Sequence, residues 1–345
     1  MLNTVIINES NKFSALGRYA KDLSIALDTK LFTFHLDSSK SIDNFEGKIF
    51  EPSKILKIGN GWYYYHRFPH LSLRKIKAEI SNEIRSDSII HYASQGIPKL
   101  NLDNKFVYTI HDLFGLDQKY NADPKLRKLL EKNLNEISLA EKIVADSNFV
   151  RSKLEALKIY RDVVTIYPPV SSSFKPIENK AEIRKELNLP IDKNLILNIS
   201  SNEYRKNIPA VLKTMRLLGK KYDLVRVGKP LGVGYSFSRV DEITLNKIYN
   251  ACDALLFPSL DEGFGYPIVE SMTVGLPVVA SNIDVFKEIA KDDAILVKPV
   301  PENLSEAITE IISESENYKV KGLKRSKEFS FENFRLKIIE FYNKL

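Results

Sequence analysis

Short apolar runs rich in β-branched and aromatic residues recur along this chain, each followed by a longer stretch with helical spacing. The runs fall at 4–7, 31–35, 88–92, 106–110, 142–145 and 163–167, and then at 195–199, 222–227, 254–257, 278–280 and 294–297. Helical patterns fill the gaps, for instance at 18–27, 125–140, 208–218 and 304–312. A parallel strand pair needs a long crossover, usually a helix, so this alternation predicts parallel sheets with helices on both faces. Six runs before residue 168 and five after it predict two such sheets. The length of 345 residues also fits two domains of ~100–200 residues each. The boundary is placed in YPPVSSSFKP (167–176), whose three prolines and three serines continue neither a helix nor a central strand. Residues 330–345 read as an amphipathic helix carrying Phe331, Phe334, Leu336, Ile338, Ile339 and Phe341.

Composition narrows the function classes. Apolar residues make up 43% and charged residues 28%, ordinary values for a globular protein with cores to bury. The net charge of +7 is too modest to point to nucleic acid by itself. A single cysteine, Cys252, rules out an intramolecular disulfide and a cysteine-based zinc site. Neither a signal peptide nor an apolar run of ~20 residues is evident, so the chain is expected to be cytoplasmic. One window stands apart. Residues 52–78 hold no acidic side chain but carry Lys54, Lys57, Arg67, Arg74, Lys75 and Lys77 among Trp62, Tyr63, Tyr64, Tyr65 and Phe68. That pattern admits a peripheral contact with an anionic membrane at its inner face, or a solvated helix preceded by core-directed aromatics.

Ligands of open parallel sheets bind beyond the carboxyl ends of the strands, so the loops after strands are where chemistry is sought. After the run 254–257 comes PSLDEGFGYPIVESMTVG (258–275). Pro267 suits the first turn of a short helix and Gly275 the position past its end. The helix start offers free N–H groups to an anion, and Gly263 and Gly265 let backbone approach a ligand. Glu262 in the loop and Glu270 in the helix are acceptor-only when ionised, which suits sugar or ribose hydroxyls. Taken singly, each also admits a plain role, as a dipole-compensating or solvated carboxylate. After the run 195–199, Arg205 and Lys206 enter a helix, where two cations either hold a diphosphate or form a solvated basic turn. His111 and Asp112 end the run 106–110 and admit either a sugar contact or a structural histidine and a cap. Gly17 opens a helix after the first strand. No GxGxxG is present, which counts against a dinucleotide dehydrogenase.

Together these stretches resemble the retaining GT-B glycosyltransferases of family 4. The carrying motifs are YTIHDL (108–113), IVADSNFVR (143–151), YPPVSSSF (167–174), YRKN (204–207), VRVGKP (225–230), and EGFGYPIVESM (262–272) followed by GLPVVAS (275–281). The resemblance implies two Rossmann-like doubly wound domains facing a cleft. An acceptor domain would span 1–167 and a nucleotide-sugar domain 168–329, with a helix at 330–345 crossing back onto the first. It implies transfer of a hexose from a donor of GDP-mannose or UDP-glucose type to a glycan, lipid-linked or other hydroxyl acceptor. By the same resemblance Glu270 holds the ribose, and Glu262 holds the transferred sugar. Backbone N–H groups of Gly263, Phe264, Gly265 and Tyr266 help bind the donor, and Arg205 and Lys206 neutralise the diphosphate. His111 lies by the reacting carbon and Gly17 by the phosphates or acceptor. No metal or cofactor is implied, and no Asp-x-Asp ends a strand. The sequence departs from the pattern in Ser200-Ser201, where relatives often have glycine and some a further basic residue, and in the single glycine of the first loop. Three other functions compete: a glycoside hydrolase using Glu262 and Glu270 as acid and base, a non-catalytic sugar-nucleotide binder, and an epimerase. A hydrolytic pair must face one scissile bond at a set spacing, which a loop-plus-helix placement does not favour.

Overall fold

The computed structural model describes residues 3–10, 14–34, 46–50, 77–78, 80–97, 99–100, 102–120, 124–158 and 162–345. It divides into two compact units, one running to Pro169 and including Phe331–Leu345, the other Val170–Ser330. The basic aromatic window at 52–78, apart from Lys77 and Ala78, lies outside the described residues.

In the first unit, seven strands form an all-parallel sheet. They are β1 (Thr4–Asn8), β2 (Lys30–Phe34), β3 (Lys48–Phe50), β4 (Ile89–Tyr92), β5 (Phe106–Ile110), β6 (Lys142–Ala145) and β7 (Val163–Thr165). Their order across the sheet is β3-β2-β1-β4-β5-β6-β7, doubly wound from β1. Burial on both faces follows the two-residue period of a strand. Val5 and Ile7 of β1 face one core with Phe32, Tyr92 and Tyr108. Ile6 faces the other, with Tyr19, Leu23, Val107 and Val144. Helices α1 (Ala15–Ala26), α2 (Pro124–Ile137) and α3 (Asn148–Ala156) link these strands.

The second unit has six parallel strands, β8 (Asn194–Ile199), β9 (Tyr222–Val227), β10 (Tyr235–Phe237), β11 (Ala254–Phe257), β12 (Val278–Ser281) and β13 (Ile295–Val297). Their order is β10-β9-β8-β11-β12-β13. Its helices are α4 (Lys180–Glu186), α5 (Ile208–Leu218), α6 (Glu242–Ala251), α7 (Tyr266–Val274), α8 (Asp284–Ala290), α9 (Pro301–Ser313) and α10 (Ser315–Ser326). Both sheets place β1 and β8, the first strand of each unit, at the point where the winding reverses. Loops leaving the carboxyl ends there are the ligand-binding positions of such sheets.

The last helix, α11 (Phe331–Asn343), belongs to the first unit. Phe334, Ile338, Phe341 and Tyr342 complete the core formed with α1. The Tyr342 hydroxyl lies 2.7 Å from Nδ1 of buried His91. Among the described residues no helix is long and apolar enough to cross a membrane.

Candidate functional site

Two loops meet at the carboxyl ends of the adjacent strands β8 and β11. The first leaves β8 and closes in a 3-10 turn, Tyr204–Lys206. Asn207 then takes a left-handed conformation (φ 52°) and its side chain bonds the Pro299 carbonyl at 3.1 Å, which aims the chain into α5. The second loop leaves β11 and carries Glu262. A backbone bond from Leu260 N–H to the Arg205 carbonyl, 2.7 Å, ties the two together.

Glu262 bridges both cations. Its Oε2 accepts from Arg205 Nη1 at 2.7 Å, and its Oε1 accepts from Lys206 Nζ. Arg205 Nε also reaches Glu203 at 2.8 Å. The three bridged side chains are only 11–12% exposed, so their charges are poorly screened and their geometry is fixed. Lys206 Nζ further sits 5.5 Å from the Phe257 ring centroid, at the end of β11. The pair expected to meet a diphosphate is thus present and held together. Its charge is met in this structure by the carboxylate expected to meet the sugar.

Beyond Glu262 the chain turns through Gly263, Phe264 and Gly265 into α7. Gly265 sits at φ 112°, a conformation that L side chains rarely adopt, and a Cβ there would lie 3.0 Å from Phe286. Phe264 is buried against the Tyr266 and Phe329 rings, at 5.4 and 5.7 Å, so the turn is anchored from below. No side chain caps α7, and Pro267 stands in its first turn, leaving a helix start of the kind that attracts anions. Glu270, one turn on, is 2% exposed and accepts a 2.5 Å hydrogen bond from the Tyr249 hydroxyl on α6. Glu262 and Glu270 therefore stand before and after one glycine turn, each with its own partner.

The remaining expected residues lie in the first unit. His111 follows β5 and is 4% exposed. Its Nδ1 lies 2.6 Å from Asp146 Oδ2 and its Nε2 2.7 Å from the Ala93 carbonyl. Both neighbours can accept, an arrangement that favours the charged, doubly donating form of the ring. Burial pulls its pKa down, but the Asp146 carboxylate, helped by the Ala93 carbonyl and Asp112, outweighs this and raises it. A sugar hydroxyl would have to displace one of these partners. Gly17 lies inside α1 rather than in the loop before it, and its N–H is taken by the capping Ser14 hydroxyl at 3.0 Å.

Three further side chains with distinctive surroundings escape a reading of sequence alone. Tyr249 holds Glu270 from another helix. Arg226, fully buried on β9, holds the loop after β8. Glu9 follows β1 with its pKa pushed up to about 7 by burial, against a hydrogen bond from Ser94. Two had a signal: Arg226 interrupts the apolar run of β9, and Glu9 ends that of β1.

Residues 179–324 match the family model described as glycosyl transferases group 1. The matched segment lies within the second unit, which is similar to this family. The matched segment holds Arg205, Lys206, Glu262 and Glu270. The chain is 29% identical to the serotype-specific mannosyltransferase WbdA of Escherichia coli over 72% of its own length and 34% of that protein. It therefore spans about a third of the first curated relatives it matches. It is also 29% identical to the O-antigen chain mannosyltransferase B of Escherichia coli, over 69% of this chain and 70% of the relative. Among solved structures, sucrose-phosphate synthase from Thermosynechococcus elongatus superposes with a TM-score of 0.82 at 18% identity, covering 100% of this chain and 99% of that one. At that identity the likeness speaks for the fold, the GT-B arrangement of two Rossmann-like domains.

Proposed function

We propose that this protein is a glycosyltransferase that transfers a hexose, with retention of anomeric configuration, from a nucleotide-sugar to a hydroxyl of a glycan or lipid-linked acceptor. The observation that carries this reading is the Arg205–Lys206–Glu262 bridge beside an uncapped helix start that bears Glu270. Two desolvated cations at the ends of β8 and β11 suit the diphosphate that leaves when the sugar–phosphate bond breaks. On donor arrival the phosphates take over Arg205 and Lys206. Glu262 then accepts hydrogen bonds from sugar hydroxyls, and Glu270 takes a ribose hydroxyl alongside Tyr249. The acceptor oxygen bonds to the anomeric carbon on the face from which the phosphate departs, and the departing phosphate oxygen takes the acceptor's proton. No side chain is needed as a nucleophile, and the cations take the place of a divalent metal. The mannosyltransferase names of the relatives favour mannose as the transferred sugar.

The test is a thermal-shift screen with UDP-, GDP- and ADP-sugars on the whole chain, with Glu270→Ala as the comparison. A ligand at about 100 times its Kd stabilises by about 2.7 kcal/mol, which shifts Tm by several degrees. One nucleotide class is expected to do so, and Glu270→Ala to lose most of the shift. No shift with any of them would remove the donor from this reading. Conversion of the donor to an epimer without an acceptor would replace transfer by epimerisation.

A further inference from the structure

Arg226 is the bulkiest fully buried side chain among the described residues, at 0% exposure. It stands on β9 and reaches under the end of β8. Its Nε donates to the Lys229 carbonyl at 3.0 Å. Its Nη1 donates to Asn198 Oδ1 and, at 3.1 Å, to the Ser200 hydroxyl. Its Nη2 donates to the Ser200 carbonyl at 2.8 Å, to Asn202 Oδ1 at 2.7 Å and, more weakly, to the Ser201 carbonyl at 3.4 Å. The guanidinium donors are thus satisfied, yet every acceptor is neutral, and among the described residues Arg226 makes no ion pair. Three residues past Asn202 on the same loop the situation is reversed: Arg205 meets Glu203 and Glu262, and Lys206 beside it meets Glu262.

A buried guanidinium without a carboxylate is disfavoured on stability grounds, because its desolvation is offset only by hydrogen bonds. The surrounding backbone is nonetheless shaped to keep it. Gly228, just past β9, sits at φ 148°, and a Cβ there would come within 2.5 Å of the Ser200 carbonyl and 3.1 Å of Arg226 Nη2. The glycine of VGKP thus leaves the room in which Arg226 grips the loop.

We propose that Arg226 is a positioning residue of the donor site, one that shapes Ser200, Ser201 and Asn202 and gives the end of β8 an unbalanced positive charge for the donor diphosphate, without touching the ligand. The inference rests on the donor reading above. Buried charge acts over a longer range than exposed charge because water does not screen it, so contact is not required.

The experiment measures binding of UDP and GDP by calorimetry to the whole chain, from low salt to about 0.3 M KCl. If the wild type binds neither, the donor reading itself fails. Otherwise the better binder is used with three variants. Arg226→Met is expected to bind about tenfold more weakly at low salt and to lose part of the salt dependence, since one charge has gone. Arg226→Lys keeps the charge but not the fork, and should keep the salt dependence with a smaller loss. Asn202→Asp places a carboxylate on Nη2 and leaves the side chain of Arg226 in place. It should weaken binding about as much as Arg226→Met while raising Tm, and it decides the matter if Arg226→Met does not fold. A purely structural Arg226 would leave Asn202→Asp binding unchanged, and would make Arg226→Lys fall as far as Arg226→Met. Either result overturns the proposal.

Discussion

Glu9 shows how much a single carboxyl changes with its surroundings. It follows the buried strand β1, accepts a hydrogen bond from Ser94, and is so close to Gly96 that a Cβ there would lie 2.3 Å from its Oε1. Its Oε2 is buried without a hydrogen-bond partner. Burial therefore raises its pKa from 4.5 to about 7. In the unfolded chain the proton leaves near the ordinary value, while in the folded chain it stays until about 7. Between those pH values the folded state binds more protons, so stability falls as pH rises and the penalty is constant above that window. The raised pKa of His111 acts in the same direction at higher pH, because the stability its charged form contributes is complete below the unfolded value near 6.5 and is lost as pH climbs through the folded one. Glu9→Gln should remove the first effect, making the variant more stable than the wild type at pH 8 by up to about 3 kcal/mol, with little difference at pH 4.5. Urea unfolding of both proteins at the two pH values checks this. An equal gap at both would show that ionisation is not the cause. The same residues mark the limit of sequence reading at this scale. Arg205, Lys206 and Glu262 were legible because each follows an apolar run by a few residues, Glu262 beside a glycine, and Glu270 because it stands in the short helix that Pro267 opens. The partnership of Glu270 with Tyr249 was not legible, because it joins residues brought together only by packing α6 against α7. The bridge of Glu262 to Arg205 and Lys206 was likewise hidden, since it depends on β8 and β11 being neighbours.

At the scale of elements, the turn from Glu262 into α7 depends on one backbone conformation. Gly265 at φ 112° lets the chain reverse over Phe286 and start a helix without a cap. Gly265→Ala adds a Cβ at 3.0 Å from the Phe286 ring and holds an L residue in a rarely populated region, a strain on the order of 1–3 kcal/mol. For a unit of about this size each kcal/mol lowers Tm by ~2–4 °C. The expected outcome is a Tm lowered by several degrees, together with loss of most of the nucleotide-sugar shift, because Glu262 and the helix start are re-aimed together. A variant with lowered Tm and an undiminished ligand shift would separate the turn from the binding site. The strands and helices were otherwise readable from their periods, with two exceptions. The edge strands β3 and β10 are three residues long, too short to show an alternation. Each is entered through a left-handed glycine, Gly47 at φ 81° and Gly234 at φ 65°, where a Cβ would strike the Leu31 or Leu224 carbonyl of the neighbouring strand. Only the three-dimensional neighbour explains those glycines, so the sequence shows them as loop residues.

Across the whole molecule, the alternation of apolar runs and helices was enough to set two parallel sheets, since every crossover in either sheet joins parallel strands. Chain order and folding unit part company only at the end. Residues 331–345 follow the second unit in sequence but fill the core of the first. Phe334, Ile338, Phe341 and Tyr342 are at most 4% exposed, and each contributes about 1.5–3 kcal/mol by burial. Their sum rivals the ~5–15 kcal/mol that holds an ordinary domain folded. The second unit has its own core around Ile196, Leu224, Leu256 and Ile308. Deleting 331–345 should therefore unfold the unit that is farther away along the chain and spare the adjacent one. Limited proteolysis followed by mass spectrometry reads this directly. In the truncated protein, cleavage should spread through residues 3–169 while a fragment near 170–330 resists. That fragment should still give the nucleotide-sugar thermal shift, since Arg205, Lys206, Glu262 and Glu270 all lie within it. Cleavage spread evenly over both segments would mean that the two units unfold as one, and that the last helix stabilises more than the core it fills.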